Sequence, residues 1–199
     1  MDDRKRITFL IGSLGGGGAE NVCVTLANYL VSNGWEVDLL VLKLKGAIHR
    51  KRLAESVNLI CLDVDNTRFA FFKLRTYILK SKPGKFLVFN EHFAVLLLFL
   101  RSFLRTNFSI FARNISTLSI KNKIEESFWQ KYIVNALIGY FYRKVDLVIS
   151  QSNGMKNDLI KNYGFDAAKI ITISNPLNSI IEENCLTAVN NEELRGNFI

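Results

Sequence analysis

Strand-length apolar runs alternate with helix-length amphipathic stretches along this chain, and the first such unit, ITFLIGSLGGGGAENVCVTLANYLVSNG at residues 7–34, constrains the fold most tightly. Ile7 to Ile11 are apolar, too few for a helix and ended by Gly12, the pattern of a strand covered on both faces. After Ser13 and Leu14 come Gly15, Gly16, Gly17 and Gly18, which can adopt positive φ and let a ligand approach the backbone closely. From Ala19 onward, Val22, Val24, Leu26, Ala27, Leu30 and Val31 mark one face of a helix that stops near Asn33 and Gly34. Further strands are predicted at Val37–Leu42, Val57–Leu62, Lys85–Phe89, Phe108–Ala112, Val145–Ile149 and Ile170–Ile173, with helices between most of them. This alternation predicts an α/β fold, an open and mainly parallel seven-stranded sheet with right-handed crossovers.

A glycine loop that feeds a helix start offers unpaired N–H groups and the positive end of a dipole, so it reads as an anion site. Two common phosphate-binding signatures fail here. A dinucleotide fingerprint starting at Gly15 needs a glycine where Glu20 stands, and the second strand ends in Leu42-Lys43 rather than in a ribose-binding acid. A phosphate-binding P-loop needs a lysine, and none occurs between Arg6 and Lys43. The plain alternative is a tight turn without a ligand. Glu20 favours the helix dipole whether or not it touches substrate.

Other candidates lie where predicted strands end, the edge at which doubly wound sheets bind ligands. Asn90, Glu91 and His92 follow the fourth strand, and Asn90 reads equally as a helix cap. Arg113 and Asn114 follow the fifth, where a guanidinium and an amide suit a phosphate or sugar hydroxyls. Ser152 follows the sixth, as an N-cap or a site residue, and Asn175 with Pro176 turns the chain out after the seventh. A long helix is predicted from Lys123 to Arg143, its aromatic stripe read as core.

Net charge is +8, all of it in residues 1–120, which hold 17 Lys and Arg against 9 Asp and Glu. Such a balance suits nucleic acid, anionic lipid, phosphate-bearing substrates or plain solubility. Nucleic acid is disfavoured, because no matching motif accompanies the charge. The stretch FAFFKLRTYILK mixes aromatics with cations, and reads either as a helix docking on anionic lipid or as a core helix with a snorkelling rim. AVLLLFL, apolar nearly all round, reads as buried. Cys23, Cys61 and Cys185 form no metal or disulfide pattern, which favours a reducing cytoplasmic setting. No metal site is expected, and the N-terminus does not read as a signal peptide.

GGGGAENVCVTLANYLVSNGWEVDLLVL resembles the opening of the family 4 retaining glycosyltransferases, enzymes of GT-B type with two Rossmann-like domains. ARNISTLS, VDLVISQSNGMKNDLIKNYG and KIITISNPLN are similar to later motifs of the same family, so the resemblance runs along essentially the whole chain but spans half of such an enzyme. It implies an acceptor-side Rossmann-like domain over residues 1–178, with residues 179–199 a linker and the start of a missing C-terminal domain. The implied reaction moves a sugar from a nucleotide-sugar, a substrate rather than a cofactor, to a glycan or polyprenyl-diphosphate-linked acceptor. Its setting would be the cytoplasmic face of an anionic membrane, in cell-surface polysaccharide synthesis. By resemblance the glycine loop closes over the donor diphosphate, and the isolated chain is expected to be inactive. Many family members carry a donor-contacting histidine in the loop after the fifth strand; this chain has none there, so that role does not transfer and no catalytic residue is legible. The alternative is a non-catalytic acceptor-binding or membrane-recruiting subunit that needs a separate donor-domain partner. A nucleotide-dependent oxidoreductase is weakened by Glu20 and by the missing ribose acid.

Overall fold

The computed structural model describes residues 5–65, 69–113 and 140–176. Seven strands form one sheet: β1 (Arg6–Ile11), β2 (Glu36–Val41), β3 (Asn58–Cys61), β4 (Lys85–Val88), β5 (Ser109–Arg113), β6 (Leu147–Ser150) and β7 (Ile170–Thr172). Their spatial order is β3-β2-β1-β4-β5-β6-β7 and all neighbours are parallel. Four helices lie wholly among the described residues, α1 (Gly18–Ser32), α2 (Ala70–Ser81), α3 (Glu91–Leu104) and α4 (Asn153–Tyr163). Asn114, Cys185, most of the helix expected from Lys123 to Arg143, and the segment 179–199 lie outside the described residues.

Alternation along each strand sends side chains to two cores. Phe9, Ile11, Leu39, Val41, Leu87 and Phe89 pack with Val22, Cys23 and Ala27 of α1 on one face. Leu10, Leu40, Phe86, Val88, Ile110, Ala112 and Val148 pack on the other with Leu74 and Ile78 of α2, Leu97 of α3 and Leu159 of α4. Crossover handedness explains the division. The step from β1 to β2 runs one way across the sheet, while β3 to β4, β4 to β5 and β6 to β7 run the other way, and a right-handed connection then requires helices on opposite faces. The direction reverses between β1 and β4, which stay paired to their ends while the connections that follow them leave to opposite faces, and this opens the crevice where such sheets take ligands.

Helix ends follow local chemistry. Asn33 caps α1 and Gly34 continues at φ +77, while Gly164 ends α4 at φ +63, both left-handed positions that suit glycine. Helix α2 ends at Lys82, which takes the left-handed cap at φ +44 just before Pro83 and Gly84. Near the amino ends of the strands Asp38, 5% exposed, gathers a polar network. It accepts from Arg6 Nη2 at 2.8 Å, from Asn58 Nδ2 at 2.7 Å and from the Tyr77 hydroxyl, which in turn bonds Thr8 Oγ1 at 2.9 Å. These bonds tie β1, β2, the start of β3 and α2 together at the edge remote from the crevice.

Candidate functional site

The crevice is walled on one side by the loop between β1 and α1. Leu14 anchors it with no exposed surface, and the Leu14 carbonyl accepts from His49 N at 3.0 Å. Gly17 is the N-cap of α1, in extended geometry at φ −81 and ψ 162. None of Gly15, Gly16, Gly17 or Gly18 lies in the left-handed region, which corrects the expectation that these glycines serve positive φ. Their use is space: a side chain on Gly16 would meet Ile48, a side chain on Gly17 would overlap the Glu20 carboxylate, and one on Gly18 would stand in the open. Bare backbone is what the loop presents to the crevice. The N–H groups of Gly16 to Glu20 find no acceptor among the described residues, the usual state of a helix start.

Glu20 sits at the third helical position and folds back over the loop. Its Oε1 accepts from Ser13 Oγ at 3.2 Å, and Ser13 Oγ accepts from Gly15 N at 3.4 Å. The carboxylate therefore braces the loop from below while favouring the positive end of α1. Ser13 was not singled out from the sequence; a serine seven residues before a first-turn acid was its one signal. His49 was missed as well. It belongs to a 3-10 turn, Ile48–Arg52, held against α1 by Asn28, whose side chain donates to Arg52 O at 2.7 Å and accepts from Ala54 N at 2.9 Å. Both His49 ring nitrogens are buried without a hydrogen-bond partner among the described residues. The basic segment between β2 and β3 thus folds as a flank of the glycine loop, with Lys45, Arg50 and Lys51 exposed.

Across the crevice, β4 delivers Asn90, Glu91 and His92. The Asn90 side chain accepts from His92 N at 2.7 Å, so it does cap α3, and it does so at the switch point itself. His92 Nε2 lies 3.8 Å from Glu91 Oε1 and the imidazole is half-buried. The next strand delivers Arg113, 3% exposed. Its Nη2 donates to Asn175 Oδ1 at 2.9 Å and reaches the carbonyls of Ile173 at 3.4 Å and Ser174 at 3.5 Å, while its Nε is buried without a partner among the described residues. No carboxylate stands within ion-pair distance of it among the described residues. Burial lowers its proton affinity, yet a guanidinium stays charged at any ordinary pH, so a cation is held at the strand ends with no counter-ion among the described residues. Ser152 accepts from Met155 N at 3.3 Å as the N-cap of α4.

The fold thus gathers the candidates of the sequence on one edge, in two groups. The glycine loop with Glu20, and Asn90 with His92, follow the adjacent strands β1 and β4 at the switch point. Arg113 and Asn175 meet beyond it, and with strands spaced about 5 Å apart Arg113 starts roughly 10 Å from the end of β1. Ser152 stands further along and is engaged in capping. Asn114 lies outside the described residues. The arrangement can hold an extended anion at the loop, with backbone donors and a positive helix end on one side and polar side chains on the other.

Comparison with known proteins bears on the family and on the fold. The sequence model of Glycosyltransferase Family 4 matches residues 16–179. No curated protein matches the chain in sequence. Among solved structures, HepE of Anabaena in complex with UDP-glucose is similar at a TM-score of 0.65 and 14% identity, over 94% of this chain and 50% of that one. The sucrose-phosphate synthase of Thermosynechococcus elongatus gives 0.64 and 16% identity, over 86% and 48%. The lipopolysaccharide outer core galactosyltransferase WaaB gives 0.63 and 16%, over 86% and 46%. The chain spans about half the length of these structures, and at such identities the likeness is one of fold.

Proposed function

Because the chain belongs to Glycosyltransferase Family 4, we propose that it forms the acceptor-side half of an enzyme that transfers a sugar from a nucleotide-sugar with retention of configuration. The observation that carries this reading is the run of unpartnered backbone N–H groups from Gly16 to Glu20 at the switch point. A nucleotide-sugar is activated by its diphosphate, and as the glycosidic bond breaks, negative charge grows on the departing phosphate oxygen. Fixed N–H donors and the positive end of α1 stabilise that charge without reorganising. Glu20, braced on Ser13, holds the loop in shape and needs no contact with the sugar. Asn90 and His92 line the opposite wall, where sugar hydroxyls would lie.

Arg113 supplies the second anchor, for a phosphate or another acidic group on the acceptor side. Among the described residues its Nε has no partner and its charge no counter-ion, so an incoming anion would fill that role. A polyprenyl-diphosphate-linked glycan has that chemistry, and it would place the work at the cytoplasmic face of an anionic membrane, in the making of a cell-surface polysaccharide. The nucleotide is held mainly by a second domain, in keeping with matched structures about twice as long as this chain. The reading needs no cofactor, the nucleotide-sugar being consumed.

Gly17→Val tests the loop. The new side chain would collide with the Glu20 carboxylate, the far end of a flexible side chain that can swing away, and Gly17 has a φ that valine accepts. The change is expected to lower stability by about 1 kcal/mol at most, as for a glycine cap replaced. In a protein that joins this chain to a donor-binding domain it is also expected to cut kcat/KM for the nucleotide-sugar by about a hundredfold, since one blocked oxyanion donor costs that order. Equal damage to melting temperature and to turnover would mean that the loop is a structural turn.

A further inference from the structure

We propose that the outer face of α2 and α3 docks on an anionic lipid bilayer, lying in its interface. This deepens the membrane part of the reading above and rests on it only for biological setting, because the argument comes from the surface itself. Helix α2 buries Ala70, Leu74, Tyr77 and Ile78 against the sheet. On the opposite side, at positions i, i+4 and i+7, Phe72, Thr76 and Leu79 form a second ridge facing solvent, with Phe72 73% exposed. The Thr76 hydroxyl donates to Phe72 O at 3.0 Å, so its polarity is already satisfied within the helix. At 100° per residue, Lys73 and Lys80 flank this ridge on one side and Arg75 on the other, all three exposed. A helix with one apolar face needs only a core. This one carries two.

Helix α3 continues the surface. Phe99 and Phe103, 60% and 62% exposed, stack on each other with ring centroids 6.4 Å apart. Phe71 bridges the helices, its ring 5.2 Å from Phe72 and 6.1 Å from each of Phe99 and Phe103. Four phenylalanines therefore make one contiguous patch, whereas exposed apolar residues on an ordinary surface are scattered singly. A groove of about 500 Å³ beside Phe99 extends it toward Phe141 and Lys144, with Lys144 Nζ 4.7 Å above the Tyr140 ring.

Charge selects the occupant. Between residues 69 and 113 stand eight Lys and Arg and a single acid, Glu91. Lys73, Arg75 and Lys80 have no carboxylate partner among the described residues. A second copy packed face to face would set these cations against one another, which is unfavourable. An anionic bilayer meets both halves of the pattern: aromatic rings enter the boundary between headgroups and acyl chains, and lysine and arginine stems lie along them with their charges among the phosphates. No helix among the described residues is long and apolar enough to cross a membrane, so the contact is interfacial.

Co-sedimentation of residues 1–199 with vesicles tests the proposal. Pure phosphatidylcholine vesicles should leave the protein in solution. Vesicles with one-third phosphatidylglycerol should carry it down, and high salt should weaken that binding. The pair Phe72→Ser and Phe103→Ser should lower partitioning about tenfold or more, and so should Lys73→Glu with Arg75→Glu and Lys80→Glu. All these positions are exposed, and melting temperatures should stay unchanged. Absence of sedimentation with anionic vesicles overturns the proposal, as does binding that neither set of substitutions weakens. A lipid-free dimer abolished by the same changes also overturns it, since a second copy would then cover this face. Failure of sugar transfer would leave the sedimentation result unaffected, so the two readings fail separately.

Discussion

Asp38 is where the buried polarity of the domain converges, and it illustrates what single residues contribute here. Burial raises its carboxyl pKa, but the hydrogen bonds from Tyr77, Asn58 and Arg6 together outweigh burial, so the net shift is downward. A depressed carboxylate contributes stability that is fully present above its unfolded value, about 4, and lost as pH falls through the folded one. Asp38→Ala should cost about 2–4 kcal/mol in urea unfolding at neutral pH, because Arg6 and the Tyr77 hydroxyl lose a buried acceptor. The gap to wild type should narrow on acidification below the folded value, where wild type has lost the same interaction. A gap independent of pH would contradict this account. Asp38 was not legible in the sequence, since its partners lie 20, 32 and 39 positions away and an acid in a strand announces no partner. Arg113 and Asn90 were legible because a polar residue directly after an apolar strand falls on the ligand-binding edge whatever the sheet order.

At the scale of elements, caps and sites overlap, and two caps of the same kind separate the roles. Asn90→Ala and Ser152→Ala each remove a side-chain acceptor from a helix start and should each cost about 1 kcal/mol in thermal unfolding. Asn90 stands at the switch point, so its loss should also reduce nucleotide-sugar kcat/KM several-fold, while Ser152→Ala should leave that value near wild type. Equal kinetic effects would remove the distinction between them. The seven strands were readable to within about two residues, because an apolar run bounded by glycine, proline or polar clusters is a local signal. The outward face of α3 was not. AVLLLFL is apolar nearly all round, and periodicity says which residues share a face but not which face the sheet takes. Leu97, Leu98 and Leu100 went inside while Phe99 stayed out. The glycine loop misled in a similar way: composition shows that positive φ is permitted, and the chain spends that freedom instead at Gly34, Gly46 and Gly164.

For the whole molecule, the parallel sheet could be read from alternation, while the order β3-β2-β1-β4-β5-β6-β7 could not. Crossover handedness fixes the hand of each step but not its direction, and the reversal between β1 and β4 is what creates the crevice. That reversal brings the glycine loop beside Asn90 and leaves one wall of a cleft whose other wall, on this account, belongs to a donor-binding domain. The most direct measurement is transfer of labelled sugar from a panel of common nucleotide-sugars to a polyprenyl-diphosphate-linked acceptor, comparing residues 1–199 joined to a donor-binding domain with residues 1–199 alone. The account predicts that the joined protein incorporates label with the anomeric configuration of the donor preserved, and that residues 1–199 alone bind donor weakly and turn nothing over. No incorporation with any donor, or vigorous transfer by residues 1–199 without a partner, would contradict it.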